Sequence, residues 1–196
     1  WVKDYPIYVE TGTGLGTCLD WAAKYPFQKL YSVELDTEFV DNLRYREEQD
    51  ERIQLFNDYS VFALPEIINK IPKNQRVLWF LDDHFVGNPD HNKTSYEESI
   101  RQYKQSSFPL EDELEIIFSL RDCSKDMFII DDYFLYGGDN QSEWAKNNPF
   151  KYRELAKELN INLTDKFIYD RFKETHNITI DNRDQAYLIA QPKWEV

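Results

Sequence analysis

Glycine is scarce in this chain, with six in 196 residues. That excludes a collagen-like repeat and a glycine-rich linker. Cysteine is limited to Cys18 and Cys123, and histidine to three residues. With no Cys-x-x-Cys spacing, a zinc set is excluded. The two cysteines adjoin apolar stretches and read as buried free thiols. No apolar run approaches the ~20 residues that a bilayer requires, so the chain is not read as membrane-spanning. No signal-peptide pattern is visible, and a reducing cytoplasm is the expected compartment. The sequons at Asn92, Asn162 and Asn177 carry no meaning without secretion. Positive charge is also short. The 23 Lys+Arg residues against 36 Asp+Glu leave a formal charge of −13. Proteins that grip a phosphate backbone neutralise it with Lys and Arg, and no local basic patch offsets the net field. Nucleic acid is therefore not expected as a partner. Small molecules, cations or basic partners fit better.

What is present can fill a core: 41% hydrophobic and 16% aromatic residues. Length and composition predict one domain over residues 1–196. Strands and helices alternate along it. Ile7–Val9, Leu30–Glu34, Ile53–Phe56, Val77–Leu81 and Met127–Ile130 read as strands, the last two as the continuous apolar runs of doubly buried parallel strands. Leu19–Lys24, a segment opened by Thr37, Leu64–Ile71, Leu110–Leu120 and Lys151–Leu159 read as helices. Five such β-α units predict an α/β fold, Rossmann-like and doubly wound, with a mostly parallel sheet and helices on both faces. Phe167–Tyr169 and Gln185–Ala190 read as a final antiparallel pair. The polar stretch 86–108 is long for a connection and is expected to be a lid or substrate loop.

Half of the glycines fall in one segment, Glu10-Thr11-Gly12-Thr13-Gly14-Leu15-Gly16, where the first strand meets the first helix. Glycine lets the chain turn sharply and lets a ligand approach the backbone, and the helix start beyond it offers free N–H groups. Glu34 ends the second strand and is placed to bind both ribose hydroxyls. Asp58 ends the third and is placed to reach an adenine amino group. Thr17 stands where a dinucleotide fingerprint needs glycine, and no Lys follows Gly16 as a Walker loop requires. Glu10 also makes the loop a poor place for a pyrophosphate. A nucleoside ligand with a cationic end fits better, as S-adenosylmethionine does with its amino group and sulfonium.

The segment Glu10–Gly16 resembles motif I of the class I S-adenosylmethionine-dependent methyltransferases. That resemblance covers about Tyr5 to Gln191 and implies a seven-stranded sheet with an antiparallel C-terminal strand. It further implies that Glu10, Thr11, Gly12, Thr13, Gly14 and Gly16 hold the methionine part, Glu34 the ribose and Asp58 the adenine, with Ser60 and Asp82 assisting. Only Trp1 to Pro6 precede the first strand. Either a substrate cap that many members carry is missing from this chain, or the 86–108 loop replaces it. The start at Trp1 rather than Met leads to the expectation that residues precede it.

Two acid pairs end the fourth and fifth strands, Asp82-Asp83-His84 and Asp131-Asp132-Tyr133. Converging carboxylates repel unless protonated or bound to a cation, and Mg²⁺ is the hard ion that would suit them. The arrangement resembles the macrocin-type metal-dependent O-methyltransferases, which implies Asp82, Asp131 and Asp132 as metal ligands. It also resembles bacterial methyltransferase-like proteins with a Leu-Asp-Ala-His motif, the segment here being Leu81-Asp82-Asp83-His84. Asp82, His84 and Asp131 are the candidate catalytic residues, His84 as general base. Tyr133 and Phe134 are candidates for a substrate wall. Three readings stand: an O-methyltransferase acting on a small molecule, a non-catalytic S-adenosylmethionine-binding module, and a metal-dependent enzyme of another class on the same fold. Oligomeric state is open.

Overall fold

A computed structural model describes residues 2–83, 100–101, 104–137, 151–182 and 186–193. Its strands are β1 (Ile7–Thr11), β2 (Lys29–Glu34), β3 (Ile53–Asn57), β4 (Val77–Leu81), β5 (Met127–Ile130), β6 (His176–Asp181) and β7 (Tyr187–Pro192). The α-helices are α1 (Thr17–Ala22), α2 (Thr37–Gln49), α3 (Ser60–Lys70), α4 (Leu110–Leu120), α5 (Lys151–Glu158) and α6 (Lys166–Phe172). The strands form one seven-stranded sheet in the order β3-β2-β1-β4-β5-β7-β6. Strands β1 to β5 pair in parallel. Strand β7 runs antiparallel to both its neighbours, β5 and β6. The expected architecture is therefore the observed one.

Side chains alternate across the sheet, as the strand period requires. Val9, Val33, Trp79, Leu81 and Phe128 face α3, α4 and α6 in the larger apolar cluster. Tyr8, Leu30, Leu78 and Met127 face α1 and α2 in the smaller one. Both faces are covered, which is why β4 and β5 are apolar throughout. Below the sheet, at the start of β5, Asp126 holds four elements together. Its carboxylate accepts from Val77 N at 3.0 Å, Trp79 Nε1 at 3.1 Å and Arg121 Nε at 2.9 Å. Its carbonyl meets His176 Nε2 at 3.0 Å.

The C-terminal region corrects one expectation. Phe167–Tyr169 is not a strand but part of α6. Ile168 and Phe172, four apart, are its buried residues, so the period there is helical. The strand that pairs with β7 is His176–Asp181, and β7 begins two residues later than expected. Helix α3 begins at Ser60, four residues before the expected Leu64, and carries Pro65 inside it. Cys123 is buried, whereas Cys18 is only partly so, and both are free thiols. Among the described residues no helix is long and apolar enough to cross a membrane.

Candidate functional site

The C-terminal edge of the parallel strands collects most of the predicted site residues, as the topology dictates. The β1–α1 loop bends through three left-handed glycines, Gly12 (φ 77°), Gly14 (φ 51°) and Gly16 (φ 80°). Gly12 is held there by contact as well as by conformation. A Cβ on it would lie 2.4 Å from the Asp82 carbonyl oxygen, inside any allowed distance. The loop therefore rests directly on the end of β4, where Asp82 N also donates to Thr11 O at 3.2 Å. On the β2 side, Gly12 N and Thr13 N both donate to Val33 O, at 2.9 and 3.1 Å.

Glu10 lies beneath this loop, 1% exposed. Tyr8 Oη donates to its Oε2 at 2.7 Å and Ser32 Oγ to its Oε1 at 2.6 Å. Thr13 Oγ1 sits 2.5 Å from Ser32 Oγ, extending the chain of bonds up into the loop. Burial raises the Glu10 carboxyl to about 7, against the pull of its two donors, with Asp82 and Asp20 adding to the rise. Glu34 is partly buried and reaches across to the loop. Its carboxylate accepts from Gly14 N at 2.8 Å and from Asp36 N at 2.8 Å. Asp58 is exposed and accepts from its neighbour Tyr59 N at 2.8 Å. Glu10, the glycines, Glu34 and Asp58 thus line one edge, with Glu10 the deepest.

Thr11 and Ser60 are both fully buried. Their hydroxyls turn inward on the α3–α4 side of the sheet, beside Glu113, rather than toward the open edge. The reason is local: Ser60 is the first residue of α3, whose inner face packs on the sheet.

The aspartates surround a second feature. Asp82 and Asp83 leave β4, Asp131 and Asp132 leave β5, and all four line a recess with Glu113 of α4. Asp132 is buried in a left-handed conformation (φ 48°), and its N–H donates to Asp131 Oδ1 at 2.7 Å. The pair thus makes a turn, with one Asp131 oxygen engaged by the chain itself. Among the described residues no group of three or more His, Cys, Asp or Glu side chains is arranged to hold a metal ion. Asp82, Asp131 and Asp132, the donors read for Mg²⁺, form no such group among the described residues.

His84 and His91 lie outside the described residues, as does most of the 86–108 stretch. Tyr133 and Phe134 are buried; Tyr133 Oη donates to Asp165 Oδ2 at 2.7 Å, which fixes the ring against the α6 region. His176 is a buried residue of β6, bonded to Thr175 and Asp126, and burial lowers its pKa.

Sequence reasoning missed three features. Tyr8 and Ser32 are the partners of Glu10, two residues away and on the adjoining strand. Glu113 is 0% exposed, on the buried face of α4 with Leu110, Leu114 and Ile117. The signal was there: a carboxylate in the i, i+3, i+4, i+7 register of an apolar stripe. Leu15 and Leu35, 74% and 41% exposed, leave apolar surface open on the glycine loop and directly after Glu34.

No family model matches the sequence, and no curated protein matches it either. Solved structures do resemble it. An O-methyltransferase from Bacillus cereus in complex with S-adenosylhomocysteine aligns with TM-score 0.60 and 14% identity, over 98% of this chain and 76% of that one. A methyltransferase from Podospora anserina bound to S-adenosylhomocysteine aligns with TM-score 0.56 and 11% identity, over 96% and 72%. An O-methyltransferase family protein from Burkholderia thailandensis aligns with TM-score 0.58 and 12% identity, over 98% and 52%. The strand order, the reversed β7 and these likenesses together show that the chain has a Rossmann-like fold similar to that of these solved methyltransferases.

Proposed function

We propose that this chain binds S-adenosylmethionine and transfers its methyl group to an oxygen of a small molecule. The observation that carries the reading is the glycine loop pressed on β4 and tied by Gly14 N to Glu34. It places close-approach glycines between two strand-end carboxylates. In this reading the glycines and the loop backbone hold the methionine part, and buried Glu10 offers negative charge to its amino group from below. Glu34 takes the ribose hydroxyls with the lone pairs left beside Gly14 and Asp36. Asp58 takes the adenine amino group, and the open surface of Leu35 covers one face of the ring.

The transfer is an in-line displacement. The acceptor oxygen forms a bond to the methyl carbon as the carbon–sulfur bond breaks, and the sulfonium leaves as a neutral thioether. The acceptor's proton passes to a carboxylate at the strand ends, for which Asp82 and Asp131 are the candidates. Most of the acceleration comes from holding the two reactants in line. The neighbouring structures bound to S-adenosylhomocysteine support the cofactor assignment.

Calorimetric titration with S-adenosylmethionine and S-adenosylhomocysteine tests the proposal. Saturable binding of both, weakened by Glu34→Ala, is the expected result. No binding at millimolar ligand overturns it. A binding module would take up the cofactor yet show no methyl transfer across a broad panel of small-molecule hydroxyls.

A further inference from the structure

Glu10 belongs to a line of buried hydroxyls whose hydrogens can be followed one by one. Tyr8, Glu10, Ser32 and Thr13 are all buried. Tyr8 Oη meets Glu10 Oε2 at 2.7 Å, Ser32 Oγ meets Glu10 Oε1 at 2.6 Å, and Thr13 Oγ1 meets Ser32 Oγ at 2.5 Å. Thr13 Oγ1 also lies 3.0 Å from Val33 O, which accepts from Gly12 N and Thr13 N as well. Each hydroxyl has one hydrogen to give. With Glu10 ionised, Tyr8 and Ser32 both donate to the carboxylate, and Thr13 donates to Ser32. With Glu10 neutral, a proton on Oε2 would face the Tyr8 hydroxyl, which has no second acceptor among the described residues. A proton on Oε1 avoids that conflict. Glu10 then donates to Ser32, Ser32 to Thr13, and Thr13 to Val33 O. Both charge states are fully bonded, and passing between them reverses the bonds at Ser32 and Thr13.

The surroundings decide between the two states. Tyr8 of its own strand, Asp82 at the end of β4, Cys18 and Asp20 of α1 and Arg46 of α2 act on Glu10, while β2 contributes only the uncharged Ser32. Burial holds the Tyr8 hydroxyl and the Cys18 thiol protonated near neutrality, and Asp20 is bound to Arg46. Burial also favours the neutral form of Glu10 in the chain by itself. A cation brought to the loop favours the carboxylate instead. We propose that Glu10 makes this site selective for a ligand with an ammonium group, which drives the proton off Glu10 and, through the reversal at Ser32 and Thr13, changes the bonding of the glycine loop. The proposal deepens the cofactor reading and rests on it for the identity of the ligand. The proton passes to the buffer, and the carboxylate stays as counter-ion to the ammonium. Tyr8 and Ser32 are positioning residues, and Thr13 carries the change into the loop.

The test compares S-adenosylhomocysteine with 5′-methylthioadenosine, which keeps the adenosine and the thioether but lacks the amino-acid end. Each is titrated calorimetrically into the full chain, in buffers of different ionisation enthalpy, across the range in which Glu10 changes charge. S-adenosylhomocysteine is expected to release about one proton below pH 7, and its affinity to rise up to about tenfold per pH unit until about 7. Methylthioadenosine should release none and bind alike at each pH. Thr13→Val separates the hydroxyl line from simple charge attraction, because Thr13 does not touch Glu10. Without its hydroxyl, neutral Glu10 leaves the Ser32 hydrogen stranded, so the affinity curve should move about one pH unit lower. A merely structural Thr13 would change affinity equally at every pH and leave the curve where it was. Binding of S-adenosylhomocysteine without proton release, equal release with both ligands, or an unmoved curve in Thr13→Val overturns the proposal and leaves the cofactor reading standing. Binding of neither ligand overturns both. If Thr13→Val does not fold, the two ligands on the wild-type chain still decide.

Discussion

Glu10 is a carboxyl whose proton matters to stability. Its folded value of about 7 lies above the 4.5 of the free side chain, so the folded chain holds this proton more tightly. That contribution is fully present below 4.5 and is lost as pH rises through about 7. Glu10→Gln cannot ionise and escapes the loss. Over that window the wild-type chain without ligand should lose about 3 kcal/mol relative to Glu10→Gln, read by denaturant unfolding at each pH. An equal pH slope in both proteins would contradict this. Gly12 makes a second prediction at the same scale. Alanine there combines a left-handed backbone with a Cβ against the Asp82 carbonyl. The conformation alone costs about 1–3 kcal/mol, and the contact forces the loop off β4. Gly12→Ala should therefore lose S-adenosylhomocysteine binding in calorimetry far more than it loses thermal stability.

Between elements, Asp126 and Arg121 make a buried tie, with side chains 1% and 5% exposed. Removing the acid strands a buried guanidinium and frees Val77 N, Trp79 Nε1 and the start of β4 at once. Asp126→Ala should cost about 3–5 kcal/mol in chemical denaturation, and Asp126→Asn less, since its amide oxygen still accepts. The elements differ in how openly the sequence declares them. Strands β4 and β5 are apolar without interruption because both faces are covered, and their limits were legible to the residue. Helix α4 was legible for the same reason of pattern. Phe167–Tyr169 was not. Three β-prone letters look like a strand, and only the wider spacing of Ile168 and Phe172 shows the helix. The glycine loop and its acids could be read from position alone. The inward turn of Ser60 and the pairing of Glu10 with Tyr8 and Ser32 could not, because each depends on which face of a neighbouring element it meets.

At the scale of the whole molecule, the acidic excess has a partial address. Glu10, Glu34, Asp58, Asp82, Asp83, Asp131 and Asp132 stand at one end of the parallel strands, and Glu113 joins them from α4. The sheet order has a consequence of a different kind, for the timing of synthesis. Strand β6 precedes β7 in the chain, yet β7 lies between β5 and β6. A growing chain therefore cannot seat β6 at its final address, because the space beside β5 belongs to residues not yet made. Until Tyr187–Pro192 leave the ribosome, β5 keeps a bare edge of the sort that invites association with other chains. A chain stalled after Asp181 should be cut readily by protease throughout its C-terminal third, and extension past Lys193 should abolish that cutting in a single step. Strand β7, made after β6, is thus the strand that closes this sheet.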